Sequence, residues 1–150
     1  MIIRTGCAHE ADALLELWAA ADAEPSVTDD VQSIERLIGR QPEAVLVAEV
    51  DGRIVGSLIA SFDGWRASMY RLAVHPDHRR SRIAADLVAA GEQRLRSQGA
   101  RRVQAIVMEE RDAAVGFWTS VGYQRHESVG RYTRDLHLSA GESSSQAPEC

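Results

Sequence analysis

The chain has 150 residues, 45% hydrophobic and 26% charged, with a formal net charge of −5 at pH 7. This is ordinary globular composition in a length that suits one domain and buries about two-thirds of its unfolded surface. The acidic balance argues against a general nucleic-acid binder, and no apolar run is long enough to cross a bilayer. The first residues lack the charged and apolar regions of a signal peptide, so a cytoplasmic location is the default expectation. Cys7 and Cys150 are the only cysteines and suggest neither a disulfide framework nor a metal site.

Met1–Thr5 reads as a short strand. Ala8–Ala23 reads as a helix with Leu14, Leu15, Leu17, Trp18 and Ala21 on its apolar face, broken by Pro25 and Ser26. A second helix begins near Asp29, where Asp29 and Gln32 resemble a capping box. Val31, Ile34 and Ile38 form its stripe, and Gly39 is its expected stop. Ala44–Val50 and Ile54–Ser61 are apolar runs joined by Asp51-Gly52, a strong hairpin signal. Asp63-Gly64 marks the next turn, and Ser68–Val74 a third antiparallel strand. From Arg82 a helix runs to Gln98 with Ile83, Leu87, Val88, Gly91 and Leu95 on one side, and Gly99 ends it. Val103–Val107 is a short buried strand, so strand 68–74, helix 82–98 and strand 103–107 make one right-handed βαβ unit.

A short helix is expected over 112–121, with Asp112 as N-cap and Gly122 as stop. Gln124–Glu127 and Arg131–Leu138 read as a final hairpin, and its exposed edge at 131–138 could pair with a second subunit in a homodimer. Ser139–Cys150 is small, polar and expected to be disordered. The expected fold is α+β: a mixed, mostly antiparallel sheet flanked by helices, with one βαβ crossover. Residues 1–138 form the domain and 139–150 a tail.

The stretch His75-Pro76-Asp77-His78-Arg79-Arg80-Ser81-Arg82-Ile83-Ala84 places three arginines where a strand gives way to a helix. A helix N-terminus is the positive end of the macrodipole, where cations are disfavoured by roughly 0.3–1 kcal/mol each. Basic residues around exposed N–H groups fit a bound anion there, phosphate above all; the alternative is a solvated charge run. In a βαβ unit, ligands sit at the carboxyl end of the strand beside the following helix, which is this location. The chain carries neither a G-x-x-x-x-G-K-[ST] phosphate loop nor a G-x-G-x-x-G turn after a strand.

The segment from Leu72 to Ala84 resembles the acetyl-CoA signature of the GNAT N-acetyltransferase superfamily, a strand followed by Q/R-x-x-G-x-G/A and a helix. Arg79 fills the first position and Ala84 the last. Ala114-Val115-Gly116-Phe117-Trp118-Thr119-Ser120-Val121-Gly122-Tyr123 looks like the family's helix ending in L-Y-x-x-x-G-F, and the order of elements to about 138 also fits. Phe62-Asp63-Gly64-Trp65-Arg66, with the HPDHRR strand end, further resembles a small bacterial subgroup of ill-defined substrate.

The resemblance implies the GNAT fold and acetyl-CoA as cosubstrate, with the crossover at the CoA site. The acceptor would be a primary amine, on a small molecule or a protein. Leu72, Ala73 and Val74 would pair with the pantetheine arm through their main chain. Arg79, Arg80, Ser81, Arg82, Ile83, Ala84 and Ala85 would hold the pyrophosphate, with the N–H groups of residues 80–85 as donors. The amine would attack the thioester carbonyl, polarised by the N–H of Val74 or its neighbour, and the CoA thiolate would leave.

Three departures bear on that expectation. Arg82 replaces the signature's first glycine, and is expected to be the first residue of the helix, its guanidinium on phosphate or in solvent. Trp118 replaces a tyrosine that serves many family members as general acid. An indole N–H donates a hydrogen bond but no proton near neutral pH, so Trp118 packs against the pantetheine arm or in the core. Tyr70, Tyr123 and Tyr132 remain as substitutes, Tyr70 from the strand before the site. Arg111 stands where the family often has asparagine, and reads as a loop arginine or a contact at the CoA end.

Glu109 and Glu110 are the best-placed carboxylates for binding or deprotonating an amine; a solvent-exposed acidic turn is the alternative. His75 and His78 have no clustered third ligand, so no metal is expected. Trp65 and Arg66 either line the acceptor site or close a hairpin. Arg82 and Trp118 together motivate a second class of function, a non-catalytic acyl-CoA-binding or regulatory protein on the same scaffold. No nucleic-acid or membrane partner is expected.

Overall fold

Among the described residues, five strands form where β-branched and apolar residues cluster: β1 (Ile2–Thr5), β2 (Val45–Val50), β3 (Arg53–Phe62), β4 (Ala67–Val74) and β5 (Val103–Ala105). In this computed structural model, which describes residues 1–136 and 150, they make one sheet in the order β1-β2-β3-β4-β5. All neighbours pair antiparallel except β4 and β5, which run parallel. The α-helices among the described residues are α1 (Ala11–Ala20), α2 (Val31–Arg40), α3 (Ile83–Ser97) and α4 (Asp112–Ser120). The sheet with α1, α2 and α3 forms one unit with Cys150; α4 lies in a second unit that begins at Ile106.

Strand alternation sorts the first unit's core into two layers. Val45, Val47, Ile59 and Ala73 pack with Leu14, Leu17 and Trp18 of α1 and Ile34 and Ile38 of α2. The residues between them face α3, whose Ile83, Leu87, Val88, Gly91 and Leu95 are buried. Gly56 makes the closest approach possible: a Cβ there would stand 2.8 Å from Ile83 Cγ2 and 3.2 Å from Ala48 Cβ. The first turn of α3 thus rests directly on the β3 backbone.

Local chemistry sets the turns. Asp51 and Gly52 both take left-handed φ, 50° and 76°, as a two-residue hairpin demands. Asp63 Oδ1 accepts from the N–H groups of Trp65 and Arg66 at 2.8 and 2.7 Å, so Trp65-Arg66 closes the β3–β4 hairpin. These bonds also hold the Asp63 carboxyl below its ordinary range. α3 ends in a Schellman motif, with Gly99 N–H bonded to the Arg96 carbonyl and Ala100 N–H to that of Leu95.

Several expectations need correction. Gly39 lies inside α2, which ends at Arg40. The α2 cap is Asp30, whose Oδ1 accepts from Ser33 N–H at 2.7 Å; Asp29 is drawn off by an arginine described below. Asp112 is the first residue of α4 and Arg111 its N-cap. β5 ends at Ala105, short of the expected Val107. No strand occurs in 124–136, so the hairpin and its dimer edge are absent among the described residues; Tyr132 and Leu136 stay 96% and 85% exposed. Their alternation buries no face, and a hairpin without further packing is marginal in water. Residues 137–149, which include Leu138 and most of the polar tail, lie outside the described residues. Cys7 and Cys150, which suggest no disulfide framework in the sequence, are joined in a disulfide with Cα atoms 5.4 Å apart. Two cysteines 143 residues apart carry no spacing pattern, and only the fold brings them together.

Candidate functional site

Strand β4 leaves regular pairing at its middle. Ile59 faces Tyr70 and Ser57 faces Ala73, so Arg71 and Leu72 together oppose the single residue Leu58. Two residues against one make a β-bulge, and Arg71 enters it at φ 53°, in the left-handed region. Arginine has no preference for that backbone, and side-chain bonds hold it there. The fully buried Ser57 hydroxyl donates to the Arg71 carbonyl at 2.8 Å and accepts from Trp18 Nε1 at 2.9 Å. The Arg71 guanidinium sits 5.2 Å from the centroid of the Trp18 ring. Its Nη2 donates to both Asp29 oxygens at 2.7 Å, and its Nη1 to the Glu24 carbonyl at 2.8 Å.

The same strand has an open edge. β5 pairs with β4 only at Ala67, Ser68 and Met69. Within this unit, β4 therefore has no outer neighbour from Tyr70 to Val74. His75 N–H donates inward to the Val55 carbonyl at 2.8 Å, so alternation turns the Val74 N–H toward the open side. Tyr70 is 44% exposed on this strand.

Beyond Val74 the chain makes a tight loop into α3. His75 Nδ1 accepts from Asp77 N–H at 3.2 Å, and Pro76–His78 form a single 3₁₀ turn. The Ser81 hydroxyl donates to the His78 carbonyl, and Arg79 Nη2 reaches the Ala21 carbonyl at 3.4 Å. Arg80 and Arg82 take φ of 63° and 66°. Arg82 is thus the left-handed N-cap of α3 and not, as expected, its first helical residue. Its carbonyl accepts the first helical bond, from Asp86 N–H at 3.0 Å. Among the described residues, the N–H groups of residues 80–85 bond to no other group. Left-handed residues alternating with others turn successive N–H groups to one side, a concavity suited to an anion. Arg79, Arg80 and Arg82, all exposed, surround it with positive charge.

The sequence-predicted residues fall into two groups. Leu72, Ala73, Val74, Arg79, Arg80, Ser81, Arg82, Ile83, Ala84 and Ala85 are brought together as one continuous strand edge and loop. Glu109, Glu110 and Trp118 belong to the second unit. There, Glu109 is engaged by Arg125, with Nε 2.6 Å from Oε1, while Glu110 is exposed. Trp118 packs edge-on against Tyr123 with ring centroids 4.8 Å apart, and also meets Phe117. A hollow of about 420 Å³ lined by Arg40, Gln41, Glu43, Ala44, Ala60 and Phe62 contains none of these residues.

The bulge network was not read from the sequence. Trp18 looks like any apolar helix residue, and an arginine inside a strand gives no turn signal. One sign exists: Ser57 is the lone hydroxyl in the apolar run Ile54–Ala60. Among the described residues, no group of His, Cys, Asp and Glu side chains could hold a metal, and no helix is long and apolar enough to cross a membrane.

Residues 11–123 match the model of the acetyltransferase (GNAT) family. An acetyltransferase of Pectobacterium atrosepticum is 36% identical over 129 residues, covering 86% of this chain and 92% of that protein. Among solved structures, the aminoglycoside 6'-N-acetyltransferase of Acinetobacter haemolyticus is similar with a TM-score of 0.72 at 20% identity, over 91% of this chain and 100% of that one. An aminoglycoside N-acetyltransferase in complex with CoA is similar with a TM-score of 0.70 at 19% identity, over 90% of this chain and 95% of that one.

Proposed function

Because this chain belongs to the acetyltransferase (GNAT) family, we propose that it transfers the acetyl group of acetyl-CoA to a primary amine by direct attack. The observation that carries this reading is the open β4 edge running straight into a loop of unpaired N–H groups. An extended amide-containing arm adds to such an edge as an extra strand, which fits pantetheine at Leu72–Val74. The N–H groups of residues 80–85, with Arg79, Arg80 and Arg82, suit a pyrophosphate. Outward N–H groups at Leu72 and Val74 stand ready for the thioester carbonyl, where negative charge develops as the amine attacks. Collapse of that intermediate breaks the C–S bond and releases CoA thiolate. Tyr70, on the same strand, is the phenol we assign to protonate it, and the proton of the attacking amine passes to solvent. Trp118, lacking an acidic proton, is assigned to packing.

Calorimetric titration of acetyl-CoA and a thiol-release screen across amines test the reading together. Saturable binding and thiol release with at least one amine are expected. Tyr70→Phe should lower turnover at least ~10-fold with binding unchanged, since general acids typically contribute 10²–10⁴. Tight binding without release on any amine would favour a non-catalytic acyl-CoA-binding protein. Absence of binding would exclude both.

A further inference from the structure

We propose that Ser57, held by Trp18, is a positioning residue for acetyl transfer: it fixes the Arg71–Leu72 peptide so that the Leu72 N–H is presented to the thioester. This rests on the transferase reading above. Ser57 is the only buried polar side chain among the described residues, at 0% exposure, and its hydroxyl is fully committed. It accepts from Trp18 Nε1 at 2.9 Å and therefore has its own proton free for the Arg71 carbonyl at 2.8 Å. A serine hydroxyl rotates freely, but the indole N–H is a pure donor and permits one arrangement only.

The consequence follows from peptide geometry. A trans peptide is planar, with its carbonyl and N–H pointing in opposite directions, and this chain has no cis bond among the described residues. Anchoring the Arg71 carbonyl at Ser57 therefore aims the Leu72 N–H away from Ser57. Leu72 has no register partner on β3, and β5 ends at the level of Met69. The N–H is thus a fixed donor on the open side of the bulge. The left-handed φ of 53° at Arg71 is a conformation that an L-residue leaves readily unless it is held; the guanidinium contacts to Asp29 and Glu24 hold the side chain, and the Ser57 hydroxyl is the bond on the peptide itself. A preorganised donor aids catalysis because it does not reorganise as charge develops on oxygen. Ser57 touches no reacting atom; it acts through the peptide it holds.

The test reads that donor directly and needs no knowledge of the acceptor. Acetyl-CoA labelled with ¹³C at the carbonyl is bound to the wild type, Ser57→Ala and Trp18→Phe, and the carbonyl stretch is recorded by infrared difference spectroscopy. Dissociation constants for unacetylated CoA are measured alongside. The wild type should shift the band to lower frequency than in solution. Ser57→Ala should lose most of that shift while CoA affinity changes less than about threefold, because the CoA contacts at the strand edge and loop remain. Trp18→Phe, which keeps an aromatic ring but removes the indole N–H together with the second ring, should lose part of the shift, and it decides the matter if Ser57→Ala does not fold. A band unmoved between the wild type and a folded variant overturns the proposal, as does loss of CoA binding itself in a folded variant. A wild type that binds neither CoA nor acetyl-CoA overturns the transferase reading instead.

Discussion

Arg82 shows how one residue reconciles a broken motif with its geometry. The resemblance calls for glycine there, and the backbone at φ 66° is the kind glycine takes without cost. Arginine holds that conformation at a cost of about 1 kcal/mol. Arg82→Gly should therefore raise unfolding stability by about 0.5–1 kcal/mol in chemical denaturation. Its acetyl-CoA affinity should change less than about threefold, and a tenfold gain (about 1.4 kcal/mol) would mean that the arginine obstructs the site. Glu10 is a second single-residue case. Arg4 donates to both of its oxygens, at 2.6 and 3.0 Å, and holds the carboxyl below its ordinary range. A carboxyl with a depressed folded pKa stabilises above its unfolded value and loses that contribution as pH falls through the folded one. Glu10→Gln should cost about 1 kcal/mol at pH 7. Denaturation of the two proteins at stepped pH should show the gap closing below about pH 4.

Helices and strands were largely legible because each has a partner layer that uses its periodicity. The α1, α2 and α3 stripes, the Asp51-Gly52 turn and the β4–α3–β5 crossover all follow patterns that packing enforces. Where no layer uses the pattern, the expectation fails: Arg131–Leu138 alternates on paper, yet the described part buries nothing. The arginine loop of the site was visible as charge. The bulge was not, since its causes are three side chains from α1, β3 and β4 whose meeting no local pattern announces. Gly56 is the element-scale contact that joins core and site. Its missing Cβ lets α3 begin directly against β3, so the N–H groups of residues 80–85 sit at a fixed height above the strand edge. Gly56→Ala should meet the branched Ile83 and the rigid Ala48, and destabilise by about 1–3 kcal/mol. In a chain of this size, that is a fall in Tm of roughly 2–10 °C in calorimetry. A variant as stable as the wild type would show that α3 is free to back away.

At the scale of the whole chain, a covalent link bears on stability as much as a core packing contact does. The Cys7–Cys150 disulfide spans 143 residues, and constraining so long a loop in the unfolded chain is worth about 2–4 kcal/mol. Cys7→Ser, or reduction of the wild type, should lower unfolding stability by that order, and equal stability with and without reductant would contradict it. The bond also makes residues 7 to 150 a closed ring in the topological sense. One proteolytic cut in the exposed stretch 124–136 opens that ring without producing two molecules. The nicked chain keeps its full mass on a non-reducing gel and splits only when the disulfide is reduced. Two cuts are needed before any segment of the ring can leave.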